Sequence, residues 1–280
     1  MTRQTWNDLR LAPGDPGLVW ELFHENSKTN RYDAFPSEQE TLALMSAMWE
    51  SLPFEGYPIV ELPRSPTPLG LSLEEALTAR VTTRELEPCS LTLEQVATLL
   101  HYAYGVTRDN RGTAFPRPFR IVPSAGALYP LEVFFFSAHV DGLQTGLYHY
   151  NPARNDLRFV REGDERARLS EALVQSYLAA ASSVIFFITA MFERTTSKYA
   201  DRGYRFVMME AGHLAQNMNL VATALGLGSV NIGGFFDRQV DALLGLDGLT
   251  HSAVYLVCVG KSVISAGQES EEERHASGRS

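Results

Sequence analysis

The sequence predicts an α+β or mixed α/β protein, and three features carry that expectation. Segments with helical apolar spacing alternate with short runs rich in β-branched and aromatic residues. Apolar periodicity is nearly continuous from Leu69 to Lys261. The 280 residues, 45% of them hydrophobic, suffice to bury a sizeable core as one large domain or two small ones.

Met1 to about Pro66 holds two helical patterns and closes in Glu61-Leu-Pro-Arg-Ser-Pro-Thr-Pro68, a linker by composition. The expected organisation is an N-terminal helical extension and linker over 1–66, a main domain over 67–262, and a disordered acidic tail over 263–280. Within the main domain, Ser72 and Glu75 have capping-box spacing and open a short helix to Ala79, with Arg80 at its end. A second capping box, Thr92 with Gln95, opens a helix through Tyr104 that Gly105 terminates. Glu132–Ala138, Leu147–Tyr150 and Leu157–Val160 read as strands. Tyr177 to Phe192 is a helix end running into a buried strand, too short and too interrupted by Ser182, Ser183 and Thr189 to span a bilayer. Tyr204 to Leu225 is the longest helix, with Val207, Ala211, Leu214, Met218 and Val221 on one face, and Ser252–Val259 is the last strand.

The formal charge of −9 argues against nucleic acid, whose binders neutralise phosphates with clustered Lys and Arg. Two distant cysteines, Cys89 and Cys258, support neither a disulfide framework nor a zinc knuckle and fit a reducing cytoplasm. The polar start, Met1 to Gly17, lacks the apolar stretch of a secretory signal.

Several segments carry candidate chemistry. In Arg120-Ile-Val-Pro-Ser-Ala-Gly-Ala-Leu-Tyr-Pro130, small residues around a hydroxyl let a planar ring approach the backbone; an ordinary tight loop reads equally well. The glycines of Leu225-Gly-Leu-Gly-Ser-Val-Asn-Ile-Gly-Gly-Phe235 follow a helix and lack GxGxxG spacing, so they are no dinucleotide fingerprint. They form either backbone donors for an acceptor or a helix cap plus a turn. Arg80-Val-Thr-Thr-Arg84 gathers donors for a phosphate or carboxylate. Glu210 and His213 have the spacing of carboxylate-bridged metal sites, but a single such motif without further carboxylates reads as a satisfied polar cluster, and no metal is expected. His149 reads as structural. Lys198-Tyr199, taken by itself, is a solvated loop charge, although a lysine in a pocket can serve as a base.

In order, these segments resemble the nitroreductase superfamily and, within it, the SagB-type FMN-dependent azoline dehydrogenases (McbC-like oxidoreductases), over about Leu69 to Lys261. Gly146-Leu-Tyr-His-Tyr150, Arg202-Gly-Tyr-Arg-Phe206 and Glu210-Ala-Gly-His-Leu-Ala-Gln-Asn217 belong to the set, and His24-Glu-Asn-Ser-Lys28 looks like the branch's N-terminal region. The resemblance implies a nitroreductase-like fold, a mixed or antiparallel sheet flanked by helices, working as a homodimer with FMN. It implies that Arg80, Thr82 (for the commoner serine) and Arg84 bind FMN, with Ser124, Ala125 and Gly126 against the cofactor. Ile232, Gly233 and Gly234 would face the flavin ring and Lys261 its phosphate. It implies Lys198 and Tyr199 as the catalytic pair, one removing a ring proton while hydride passes to the flavin. The implied partners are an azoline-containing peptide or carrier-bound substrate and a cyclodehydratase complex. The competing readings are an NAD(P)H-dependent nitro, quinone or dehydroamino-acid reductase, and a flavin-free peptide-docking scaffold.

Overall fold

The computed structural model describes residues 19–110, 112–113, 115 and 117–263, so the acidic tail after Val263 lies outside them. The helices are α1 (Val19–Asn26), α2 (Glu38–Ala47), α3 (Leu73–Ala79), α4 (Leu93–Tyr104), α5 (Arg166–Ala172), α6 (Leu178–Ala181), α7 (Glu193–Tyr199), α8 (Arg202–Ala224) and α9 (Asp237–Leu244). The strands are β1 (Ile59–Glu61), β2 (Leu86–Glu87), β3 (Val106–Arg108), β4 (Phe119–Arg120), β5 (Leu131–Ser137), β6 (Gly146–Asn151), β7 (Asp156–Glu162), β8 (Val184–Met191), β9 (Gly228–Ile232) and β10 (His251–Ser262).

The main sheet runs β1-β7-β6-β5-β8-β10-β2, with β9 also on β10. Of the two sheet arrangements expected, the antiparallel one is found: each of these strand pairs is antiparallel. Strands β9 and β2 lie end to end along β10, against Leu256–Gly260 and Lys261–Ser262. Helices cover both faces. Leu131, Val133 and Phe135 of β5 share a core with α4 and α8, whereas Phe134 and Phe136 share one with α5, α6 and α9. A strand buried on both faces reads as an unbroken apolar run, which is why β5 and β8 stood out in the sequence. Each fully buried Phe contributes about 2–3 kcal/mol through its removal from water.

Both capping boxes form: Ser72 accepts from the Glu75 backbone and Thr92 from Gln95, with reciprocal side-chain bonds. Gly105 differs from expectation, since its φ of −65° is not the left-handed cap. Glycine is required there because a Cβ would meet the His101 carbonyl oxygen at 2.5 Å. Helix α8 begins at Arg202, two residues before the predicted start. The stretch read as a linker is hydrogen-bonded: Asn155 donates to the Pro63 carbonyl and the Thr67 N–H to Thr98, each side of the proline cluster. Just before it, β1 extends the sheet by pairing with β7.

Candidate functional site

At one corner of the sheet, three elements meet. Helix α3 ends at Arg80 in extended backbone, and the next turn is pinned by a 2.9 Å hydrogen bond from the Thr83 N–H to the Ser229 carbonyl. Strand β2 then pairs Glu87 with Lys261. Gly228 is glycine because a Cβ would come within 2.8 Å of Leu86 and 2.9 Å of the Thr83 methyl. The loop Arg80–Arg84, the start of β9 and Lys261 therefore share one corner, with Arg80 half-buried and Thr82, Arg84 and Lys261 exposed. Ile232 closes β9 at its far end, four residue steps or about 13 Å away. Beyond it Gly233 is exposed, and the Gly234 carbonyl accepts from Val174 at 3.0 Å.

A second group forms around Ser124–Tyr129. The backbone takes left-handed φ at Gly126 (63°), Ala127 (51°) and Tyr129 (47°), conformations that cost about 1–3 kcal/mol for a non-glycine residue. Hydrogen bonds hold it there. The Tyr129 N–H donates to the Ser124 hydroxyl at 2.9 Å, the Arg120 N–H to the Tyr129 hydroxyl at 2.9 Å, and Arg194 to the Tyr129 carbonyl at 3.2 Å. Beneath the loop lies the buried Glu210 of α8, bonded by Ser124 and by the Tyr104 hydroxyl at 2.8 Å. Burial pushes the Glu210 carboxyl up to about 7, against the lowering effect of those two hydroxyls and of Arg120 and Arg194. The cluster reading of this motif holds for Glu210 alone, because His213 is exposed.

Helix α7 carries the third group. Its Arg194 pairs with Glu132 of β5 at 2.7 Å, both buried. Glu132 also accepts from Ser51 at 2.8 Å and the Leu52 N–H at 3.1 Å, and sits 2.7 Å from His149. Burial favours the neutral acid, but Arg194 and His149 outweigh it and hold the Glu132 carboxyl far below the usual carboxylate range. His149 is structural, as expected from sequence. One turn beyond the Arg194 anchor come Lys198 and Tyr199, both half-buried. The solvated-loop reading of this pair is therefore corrected: they end a helix that an ion pair fastens to the sheet. The Tyr199 ring packs edge-on against Phe206 of α8 at 5.0 Å, and the Lys198 ammonium lies 5.2 Å from that ring's centre. Both tips reach the loop, since a Cβ on Gly126 would meet the Tyr199 hydroxyl at 2.8 Å and Lys198 Nζ at 3.2 Å. Glycine at 126 serves both the positive φ and this approach.

Lys198, Tyr199, Ser124 and Gly126 are thus brought together, as are Arg80, Thr82, Arg84 and Lys261. Helix α8 joins the two groups, with Glu210 under Ser124 and Asn219 accepting from Ser229 at 3.1 Å. Sequence reasoning missed Glu132, Arg194 and Tyr104, and took Arg120 only as the start of a motif. A usable signal was present for Glu132: a lone carboxylate in the run Leu131-Glu-Val-Phe-Phe-Phe136 must find a buried partner. Among the described residues, no group of three or more His, Cys, Asp or Glu could hold a metal, and no helix is long and apolar enough to cross a membrane.

The chain is matched over residues 77–261 by the family model described as the nitroreductase family, and it belongs to that family. It is similar to MJ1384 of Methanocaldococcus jannaschii, provisionally named a nitroreductase: 40% identical over 174 residues, 62% of this chain and 84% of that protein. It is also similar to the Escherichia coli microcin B17-processing protein McbC, 34% identical over 142 residues, 47% of this chain and 49% of the relative. The match thus spans about half the length of that curated relative. Among solved structures, one chain of the E. coli microcin synthetase McbBCD complex with truncated pro-MccB17 bound superposes on it with a TM-score of 0.56 at 25% identity. That alignment covers 80% of this chain and 94% of the other.

Proposed function

We propose that this protein is an FMN-dependent dehydrogenase that oxidises thiazoline and oxazoline rings to thiazoles and oxazoles during maturation of a modified peptide. The observation that carries the reading is the convergence of Lys198 and Tyr199 on Gly126 of the Ser124 loop.

The chain's residues fit the flavin. Arg84 and Lys261 with the half-buried Arg80 form a donor set suited to a phosphate. Exposed backbone at Gly233, where a Cβ would meet nothing closer than 3.9 Å, allows close approach of a flat ring. Bound FMN would supply the two-electron acceptor.

The work of the protein is then to place the substrate ring and move one proton. Lys198 or Tyr199 takes the proton from the ring carbon, and aromatisation makes its loss favourable. The Arg194–Glu132 pair and the edge contact with Phe206 orient α7, so the base does not have to be ordered at the moment of reaction. The similarity to the microcin-processing protein and to the synthetase complex supports a peptide substrate and a cyclodehydratase partner. A homodimer is part of the same reading.

The test is turnover of a thiazoline peptide by the FMN-loaded protein, read as the thiazole absorbance. Lys198→Ala should lower kcat by at least 100-fold, the scale of a general base, while the flavin stays bound. Unchanged turnover removes Lys198 from the chemistry. A second reading, a reductase fed by NAD(P)H, is favoured by the 40% identity to the provisionally named nitroreductase. Anaerobic titration with NADPH separates them: rapid, saturable bleaching of the flavin band supports the reductase, and a persisting band supports the dehydrogenase. A colourless protein that cannot be reconstituted with FMN would favour a flavin-free scaffold.

A further inference from the structure

The segment His24–Lys28, singled out in the sequence, plays no part in the chemistry above. It is nonetheless built against it. Arg205 at the start of α8 donates to the Ser27 hydroxyl at 2.9 Å and to the His24 carbonyl, and Phe23 meets Tyr204 edge-on at 5.3 Å. Tyr204 in turn stacks on Phe192, just before α7. Ser27 is buried, so these contacts fix where the following residues run. Between residues 26–36 and residues 196–202 they leave a cavity of about 400 Å³, with Lys198 and Tyr199 in its wall. The same two side chains reach Gly126, so a molecule in the cavity lies directly beside the pair.

The lining decides what fits. Asp33 and Asp201 line it together with Lys28 and Arg202, Thr29 and Ser197 offer hydroxyls, and Phe35 adds an apolar surface. An apolar ring filling this space would strip water from charged groups without replacing their hydrogen bonds, at a cost of several kcal/mol. A dinucleotide would bring its phosphates against Asp33 and Asp201 as well as Lys28 and Arg202, so the wall offers no cation-only cradle for them. A peptide carries no backbone charge and presents both a donor and an acceptor at each residue, which such a mixed wall can pair. The volume lies within the range of small-ligand sites and holds only a short stretch of chain.

We propose that this cavity is a peptide-flank subsite: residues 26–36 and the end of α7 hold a short polar stretch of the substrate chain next to the ring served by Lys198 and Tyr199. The inference rests on the dehydrogenase reading for what the ring is, and on the cavity alone for the binding of its flank.

Calorimetry on the FMN-loaded full chain tests the binding without turnover. The probes are thiazole-4-carboxamide alone and the same thiazole flanked by two glycines on each side. The flanked probe should bind at least 10-fold more tightly. Ala34→Trp, which fills the cavity from an exposed position, should erase that advantage and leave the bare-ring affinity unchanged; Thr29→Trp is the second variant. Equal affinities in the unsubstituted protein, no binding of either probe, or an advantage that survives both substitutions would each overturn the subsite. The corresponding thiazoline probe then separates the two proposals. If it binds with the same flank dependence but is not oxidised, the dehydrogenase reading fails and the subsite stands.

Discussion

Glu210 is the residue at which charge and geometry are most tightly joined. As a carboxylate it accepts hydrogen bonds from Ser124 and Tyr104; as an acid it has a proton of its own to donate, and Ser124 is free to turn its hydrogen elsewhere. Its folded pKa of about 7 lies above the ordinary carboxyl value near 4.3, because burial outweighs the hydroxyls and arginines around it. The raised value means that the folded chain keeps a proton the unfolded chain has lost. The resulting stability is full below about pH 4.3 and is lost as pH rises through about 7, to a total of ~4 kcal/mol. Glu210→Gln mimics the protonated acid at every pH. Urea unfolding from pH 5 to pH 8 should therefore show the variant gaining steadily on the parent, by ~3 kcal/mol at most. A constant difference across that range means that Glu210 does not titrate in the folded protein.

Among the elements, α3 and α4 could be read from sequence because their start signals are local: hydroxyl and Glu or Gln three residues apart. The same holds for β5, β8 and α8, whose apolar patterns are long. Helix α7 gave no such signal. Its first turn has no side-chain cap, and Glu193-Arg-Thr-Thr-Ser-Lys-Tyr199 is polar with two β-branched residues and no apolar stripe. What fastens it to the sheet is the contact of Arg194 with Glu132, 62 positions away in the chain, which no local pattern encodes. Strand β1 is similar: three residues beside Pro58 are a strand only because β7 lies alongside. Removing the guanidinium from α7 leaves Glu132 buried without its cation, so Arg194→Met should destabilise by about 3–5 kcal/mol in urea unfolding. Replacing the pair together, with Glu132→Gln added, should recover part of that loss. If Arg194→Met costs under 1 kcal/mol, water reaches Glu132 and α7 is held by its other contacts.

At the scale of the whole molecule, the sequence order of the motifs foretold the grouping better than any single motif did. Arg80–Arg84 and Lys261 lie at opposite ends of the matched region, yet β2 and β10 bring them to one corner; the sequence carried them only as members of an ordered set. The chain as a whole bears −9, so on the flavin reading an anion reaching this corner would do so against the mean charge and would be held by the local arginines and lysine. Binding to the folded state alone stabilises it by about 2.7 kcal/mol at a ligand concentration of 100 Kd. For a domain of this size that corresponds to a Tm increase of roughly 5–10 °C on adding FMN. Arg84 and Lys261 are exposed, so Arg84→Ala with Lys261→Ala should move the FMN-free Tm little. On the flavin reading the double variant would lose two charge-assisted contacts, each worth about 1.5–3 kcal/mol, and the FMN-dependent rise should nearly vanish at the same concentration. Added salt should shrink the rise in the parent protein, because this corner is open to solvent. If the double variant keeps the full rise, the phosphate is held elsewhere on the molecule. If the parent itself shows neither a rise nor flavin colour, the corner is not a flavin site, and the groove beside Lys198 must then be read as a peptide-binding surface without redox chemistry.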